Sequence, residues 1–238
     1  MRLLVVGASK GIGRLFAEVA LASGHKVVIA ARNMSDPPSG AHSLICDVRD
    51  AESCEQLVND ALAFLGGLDG LVYAAGISPL SPLREATAKL WNDVFNTNII
   101  GAATIIRFAI DELVVNRGRL IFVSSTMVGN PWPGLIPYSS SRAALEELAN
   151  GLRVEYPSLR VTTVTIGPTR TGFESNWDPD ILEAAVHTWR RGGFLKSDSE
   201  SLDAKKVAES LLAIINSPVR IENIDLLPDR ENIFRKGE

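Results

Sequence analysis

The sequence predicts an α/β chain wound around a mostly parallel, seven-stranded sheet, in a single domain spanning residues 1–238. Three observations predict it. Short apolar runs alternate with helical stretches along the chain, the βαβ rhythm of a doubly wound sheet. The runs are near-continuously apolar rather than alternating, as in strands buried on both faces. A glycine-rich turn joins the first run to the first helix, where such sheets open their binding crevice.

Taken in order, the predicted strands are Leu3–Val6, Lys26–Ala30, Ser43–Cys46, Gly70–Ala74, Arg119–Ser124, Arg160–Ile166 and Glu222–Leu226. Helical patterns fill 11–23, 50–65, 88–116, 136–155 and 203–217. Asp36-Pro37-Pro38-Ser39-Gly40 reads as a loop inside the domain, not a boundary. Residues 172–200 break the rhythm with Trp177, Trp189, Arg190, Arg191 and Gly192-Gly193. An insertion just past a strand's carboxyl end is where a substrate lid sits, and a surface helix with loose flanks is the plainer alternative.

Composition narrows the function. With 46% hydrophobic residues the chain can bury a sizeable core. A net charge of −4 and a pI near 5.5 give no footprint for nucleic acid or for an anionic membrane. No apolar run reaches membrane-spanning length, and Met1-Arg2 leads straight into a strand, so the expectation is a cytoplasmic protein. Cys46 and Cys54 read as small packing residues, and His25, His42 and His187 lack ligand spacing, so no metal is expected.

The turn Gly7-Ala8-Ser9-Lys10-Gly11-Ile12-Gly13 stands in strand–turn–helix context. Its glycines permit close approach to a pyrophosphate, and the helix N-terminus supplies N–H groups to the anion. The end of the second strand, Ala30-Ala31-Arg32-Asn33, carries no carboxylate for a ribose 2′-hydroxyl. Arg32 there and Lys10 in the turn suit a 2′-phosphate instead, which points to NADP(H).

A second constellation lies downstream. Ser124-Ser125 ends an apolar run, Tyr138 follows, and Arg142 stands one helical turn beyond the tyrosine, so both can face one site. A tyrosine hydroxyl can deliver a proton to a carbonyl oxygen when a nearby cation favours its phenolate. Together with the glycine turn, this set resembles the short-chain dehydrogenase/reductase family over about residues 1–171 and much of 203–215.

The resemblance implies a Rossmann-type fold and a set of roles. Tyr138 is the proton donor, Ser125, the second serine of its pair, holds the substrate oxygen, and Asn98 bends a helix and anchors a relay water. Asn96 is the rival for that last role and fits the spacing to Gly101 less well. Gly7, Ser9, Lys10, Gly11, Ile12 and Gly13 cradle the cofactor. Asp47 accepts from the adenine amino group and Val48 packs on its ring, although Asp47 also suits the N-terminal region of a helix. Ala74-Ala75-Gly76 approaches the ribose, and Pro168, Thr169 and Thr171 hold the nicotinamide half. Tyr73 and Ala74 stand where the family has asparagines, Val6 where it has threonine, and Ile166 where proline is common.

The largest departure is Arg142, where the family has lysine. Arginine keeps the charge and can still bind the ribose hydroxyls, but it never deprotonates and cannot pass a proton as an amine can. The chain is therefore expected to be an NADPH-dependent oxidoreductase that reduces a ketone or aldehyde, or runs the reverse. The alternative is an NADPH-binding regulatory or scaffold protein with a weakened site. Phe173, Phe194, Trp177 and Trp189 suit an apolar carbonyl or alcohol substrate, with Arg190 and Arg191 free for an acidic tail. By the same resemblance a homodimer or homotetramer is expected, through helices near 98–116 and 136–155.

Overall fold

The structure is a computed structural model and describes residues 1–173, 175, 177–194 and 201–228. Seven strands form one sheet: β1 (Arg2–Val6), β2 (Lys26–Ala31), β3 (His42–Ile45), β4 (Gly70–Tyr73), β5 (Arg119–Ser125), β6 (Arg160–Ile166) and β7 (Asn223–Leu226). Their order is β3-β2-β1-β4-β5-β6-β7, and all six pairings are parallel. The helices are α1 (Gly11–Ala22), α2 (Ala51–Leu65), α3 (Ala88–Phe95), α4 (Gly101–Val115), α5 (Ile136–Glu155), α6 (Pro179–Arg191) and α7 (Ala204–Ile215).

The continuous apolar runs are explained by two cores, one on each face of the sheet. Leu4, Val6, Leu71, Tyr73, Leu120 and Phe122 meet α2, α4 and α5 on one face. Leu3, Val5, Ile29, Val72, Ile121 and Val164 meet α1 and α7 on the other. Alternate residues of one strand serve opposite cores, so the inner positions are mostly apolar, with Thr162 and Thr163 of β6 buried as exceptions. Only the edge strands β3 and β7 alternate in burial, because each lies at the margin of the layers.

Two elements differ from expectation. The predicted helix over 88–116 is interrupted at Asn96–Ile100 by a π-helical turn that joins α3 to α4. The Tyr73 hydroxyl, fully buried, donates to the Thr97 carbonyl at 2.6 Å and thereby takes up a backbone oxygen at the bulge. In the region 172–200 the chain forms α6. Asp178 caps it, accepting from the backbone N–H of Asp180 at 2.9 Å and of Ile181 at 3.3 Å, and Pro179 opens it with φ already set. Residues 174, 176 and 195–200 of the expected lid lie outside the described residues.

Cys46 and Cys54 are free and buried beside the loop between β3 and α2. Among the described residues no helix is long and apolar enough to cross a membrane, and no cluster of His, Cys, Asp and Glu is arranged to hold a metal ion. Since β1 lies between β2 and β4, the chain reverses direction across the sheet there. The crevice outside the carboxyl ends of these strands is the expected ligand position.

Candidate active site

The glycine turn and the end of β4 press backbone against backbone. Gly7 has φ +92°, and a Cβ built on it would stand 2.4 Å from the Ala75 nitrogen. A Cβ on Gly13 would stand 2.4 Å from the Gly7 carbonyl oxygen. The first turn of α1 has no side-chain cap, so its amides face the crevice without an internal acceptor. Thr171 lies over Gly11, and the turn after β6 is held by Leu202, whose N–H donates to the Pro168 carbonyl at 2.7 Å. The Thr169 hydroxyl donates to the Gly167 carbonyl at 2.9 Å. Packed this closely, the turn admits no side chain at Gly7 or Gly13, and its uncapped N–H groups fit a pyrophosphate lying along them.

The groups expected around the adenosine end are disposed differently. Arg32 is exposed at the end of β2, with no side-chain hydrogen bond among the described residues and no carboxylate on its strand end. Lys10 instead reaches the α6 side of the crevice, donating to the Gly172 carbonyl and to Ser175 Oγ, both at 3.2 Å. Asp47 is clasped by Arg49, with Nη2 to Oδ2 at 2.6 Å and Nε to Oδ1 at 2.9 Å, and this guanidinium holds its carboxyl below the usual range. The cap of α2 is Asp50, not Asp47. Val48 is buried in the core beside Gly101.

The end of β5 and the start of α5 assemble the reacting groups. Ser124 turns away, donating to Glu146 Oε1 at 2.5 Å. Ser125 Oγ accepts from the Met127 N–H at 3.3 Å, which leaves its own proton to donate. The Tyr138 hydroxyl makes no hydrogen bond among the described residues, and its ring meets the guanidinium of Arg142 at 5.1 Å. Arg142 is only 3% exposed. Its Nη1 donates to the Val123 carbonyl at 3.1 Å, its Nε has no partner, and no carboxylate within 4.0 Å neutralises it among the described residues. A Cβ built on Gly76 would stand 2.2 Å from its Nη2, so glycine at 76 is what admits an arginine here.

Asn98, on the π-helical turn, is fully buried. Its Oδ1 accepts from the Ile77 N–H at 2.8 Å, and its Nδ2 donates to the Ile77 carbonyl and to Ser141 Oγ, both at 2.9 Å. Ser141 in turn donates to the Tyr138 carbonyl at 2.7 Å. The amide thus fixes the segment after β4 to α5, and both of its N–H groups are used. Sequence reasoning found Asn98 but missed the roles of Ser141, which accepts from it, and of Tyr73, which takes the neighbouring Thr97 carbonyl. Ser141 lies three residues from Tyr138 on one helix, and that spacing was the available signal.

A family model for short chain dehydrogenases matches residues 2–181. The chain belongs to the short-chain dehydrogenase family. Among its relatives is the human mitochondrial dehydrogenase/reductase SDR family member 2, 29% identical over 234 residues, covering 93% of this chain and 83% of that one. Carbonyl reductase family member 4 of Danio rerio is 28% identical, over 90% of this chain and 91% of that one. In fold, a dehydrogenase/reductase from Sinorhizobium meliloti superposes with a TM-score of 0.78 at 29% identity, covering 94% of this chain and 92% of that one. This short-chain dehydrogenase is therefore an oxidoreductase of a family that binds a nicotinamide cofactor, and its glycine cradle fits one.

Proposed function

We propose that this short-chain dehydrogenase reduces a ketone or aldehyde with NADPH, or oxidises the corresponding alcohol with NADP+. The observation that carries the reading is the pair of hydroxyls, Ser125 and Tyr138, both left free to donate beside a buried cation at the strand ends. The nicotinamide, when bound, supplies or takes up the hydride. Ser125 donates to the substrate oxygen and holds it. Tyr138 gives that oxygen its proton, or takes it in the reverse direction, and Arg142 stabilises the phenolate left behind. The relative in Danio rerio that is named a carbonyl reductase supports the same class.

The choice of NADP(H) over NAD(H) rests on Arg32, exposed at the end of a strand with no carboxylate. Lys10 joins it once released from Gly172 and Ser175. A titration that returns equal affinities for NADPH and NADH overturns this choice. We also propose a cytoplasmic homodimer or homotetramer.

The deciding experiment is NADPH oxidation with aldehydes, ketones, diketones and quinones, on wild type and Arg142→Lys in parallel. Turnover by wild type, abolished in Tyr138→Phe, supports the reading. Turnover by the lysine variant alone favours a second reading, an NADPH-binding regulatory or scaffold protein. One observation speaks for that second reading: Arg142 cannot relay a proton, and both N–H groups of Asn98 are engaged.

A further inference from the structure

We propose that the carbonyl compound taken by this site carries an aromatic ring or an equally flat apolar body, and that hydroxyl-rich carbonyl compounds are rejected. This rests on the reductase reading and names its substrate class.

Apart from the two cores on the sheet, the described residues form a third apolar cluster at the carboxyl ends of the strands, around Leu80, Leu135 and Trp189. It joins α6 to the segments that follow β4 and β5. Those segments, Ile77–Pro82 and Pro131–Pro137, carry no charged and no amide side chain. On α6 the inward positions are Ile181, Leu182, Ala185, Val186 and Trp189, while Asp180, Glu183, His187 and Arg190 face solvent.

The cluster offers carbon rather than donors. Trp177 Nε1 donates to the Ser78 carbonyl at 2.5 Å, and Trp189 Nε1 to the Pro133 carbonyl at 2.8 Å, so both indole N–H groups are spent on backbone. Their rings meet edge to face at 6.0 Å, and Trp132 meets Trp189 likewise at 5.1 Å. Phe173, outside that cluster, adds aromatic surface at the reacting residue. Its ring lies 5.8 Å from that of Tyr138, tilted by 58°, a favourable aromatic geometry. A ring against Tyr138 is therefore already accommodated by the fold, and Phe173 gives a substrate ring an aromatic face to lie on beside the reacting hydroxyl. Ser78 and Ser81 are the hydroxyls of these segments, so a polyhydroxylated substrate laid against the wall loses more hydrogen bonds to water than it regains, which disfavours sugars and polyols. Arg142, buried and held by Val123, is not presented to a substrate carboxylate.

The test compares 4-phenyl-2-butanone with dihydroxyacetone on the full chain with NADPH. The expected result is a kcat/KM at least about 100-fold higher for the aryl ketone. Phe173→Ala is expected to lower the aryl value by about 10-fold while the dihydroxyacetone value stays within about twofold. A second readout needs no turnover: with NADPH bound, the aryl ketone quenches tryptophan emission saturably and dihydroxyacetone does not. Equal or reversed kcat/KM ratios overturn the inference. Saturable quenching by the aryl ketone alone, with no turnover of either compound, upholds the substrate class and overturns the reductase reading. Neither quenching nor turnover overturns both.

Discussion

A guanidinium sealed from water with no carboxylate beside it works against stability, since a buried charge needs a compensating partner. Arg142 is in that position, with one carbonyl contact and an unpartnered Nε. Arg142→Met, which keeps the volume and removes the charge, is expected to raise the melting temperature by about 2–4 °C, as for a gain of about 1 kcal/mol in a chain of this size. The same variant is expected to lose activity. A lower melting temperature shows that the charge is compensated in the folded protein. At the other reacting residue, Tyr138→Phe is expected to cut kcat by about 10²–10⁴ with NADPH affinity unchanged within about threefold. Far from the site, Asp69 accepts from the Arg2 backbone N–H at 2.7 Å and pairs with its guanidinium at 2.6 Å, which holds the carboxyl below its usual value. A carboxylate so depressed adds stability that is complete above the ordinary range near about pH 4 and is lost as pH falls through the lowered value. The melting-temperature gap between wild type and Asp69→Asn is therefore expected to be full at about pH 6, worth about 1.5 kcal/mol, and to narrow as the pH falls below the ordinary carboxylate range.

The π-helical turn between α3 and α4 exists because two partners far away in sequence hold it. Tyr73 on β4 takes the Thr97 carbonyl, and Asn98 takes both backbone groups of Ile77. Bulges of this kind concentrate at functional sites, where they re-aim a side chain. Tyr73→Phe is expected to lower kcat several-fold with KM for NADPH little changed, and to speed hydrogen exchange at 96–101. Unchanged exchange there means that the hydroxyl does not hold the turn. This also explains what the sequence could and could not tell. β1 and the start of β5 were legible because each inner residue serves one of two cores, and β6 was legible through its run of β-branched residues, threonines included. The bend of the long helix came only from the family resemblance at Asn98, because nothing local in Asn96-Thr97-Asn98 announces a bond to Tyr73. The helix α6 was obscured by Gly192-Gly193 and by the small inward Ala185, although Asp178-Pro179 carried its start signal. Ser125, Tyr138 and Asn98 were legible as a set through joint order. Lys10 in the glycine turn suits a cofactor phosphate by sequence, and its bonds to Gly172 and Ser175 depend on tertiary placement that no spacing encodes.

At the scale of the molecule, α5 presents Ala143, Glu147, Asn150, Gly151 and Val154 to solvent, and Val154 is 83% exposed. Val115, at the end of α4, is 78% exposed. If copies pair through these helices, light scattering returns a dimer or tetramer mass, and Val154→Glu lowers it. A wild-type monomer at micromolar concentration removes the proposal. The layering has another consequence, one of timing. α7 packs on the same face of the sheet as α1, and Val207, Ala208 and Leu211 close over Phe16, Ala17 and Ala20. About 180 residues separate the two helices along the chain. At about 5–20 residues per second, a ribosome delivers α7 roughly 10–35 seconds after α1. For that interval the nascent chain carries an uncovered apolar surface and an unfinished parallel sheet, so messages truncated before residue 204 are expected to yield aggregation-prone, chaperone-bound fragments rather than a smaller working enzyme.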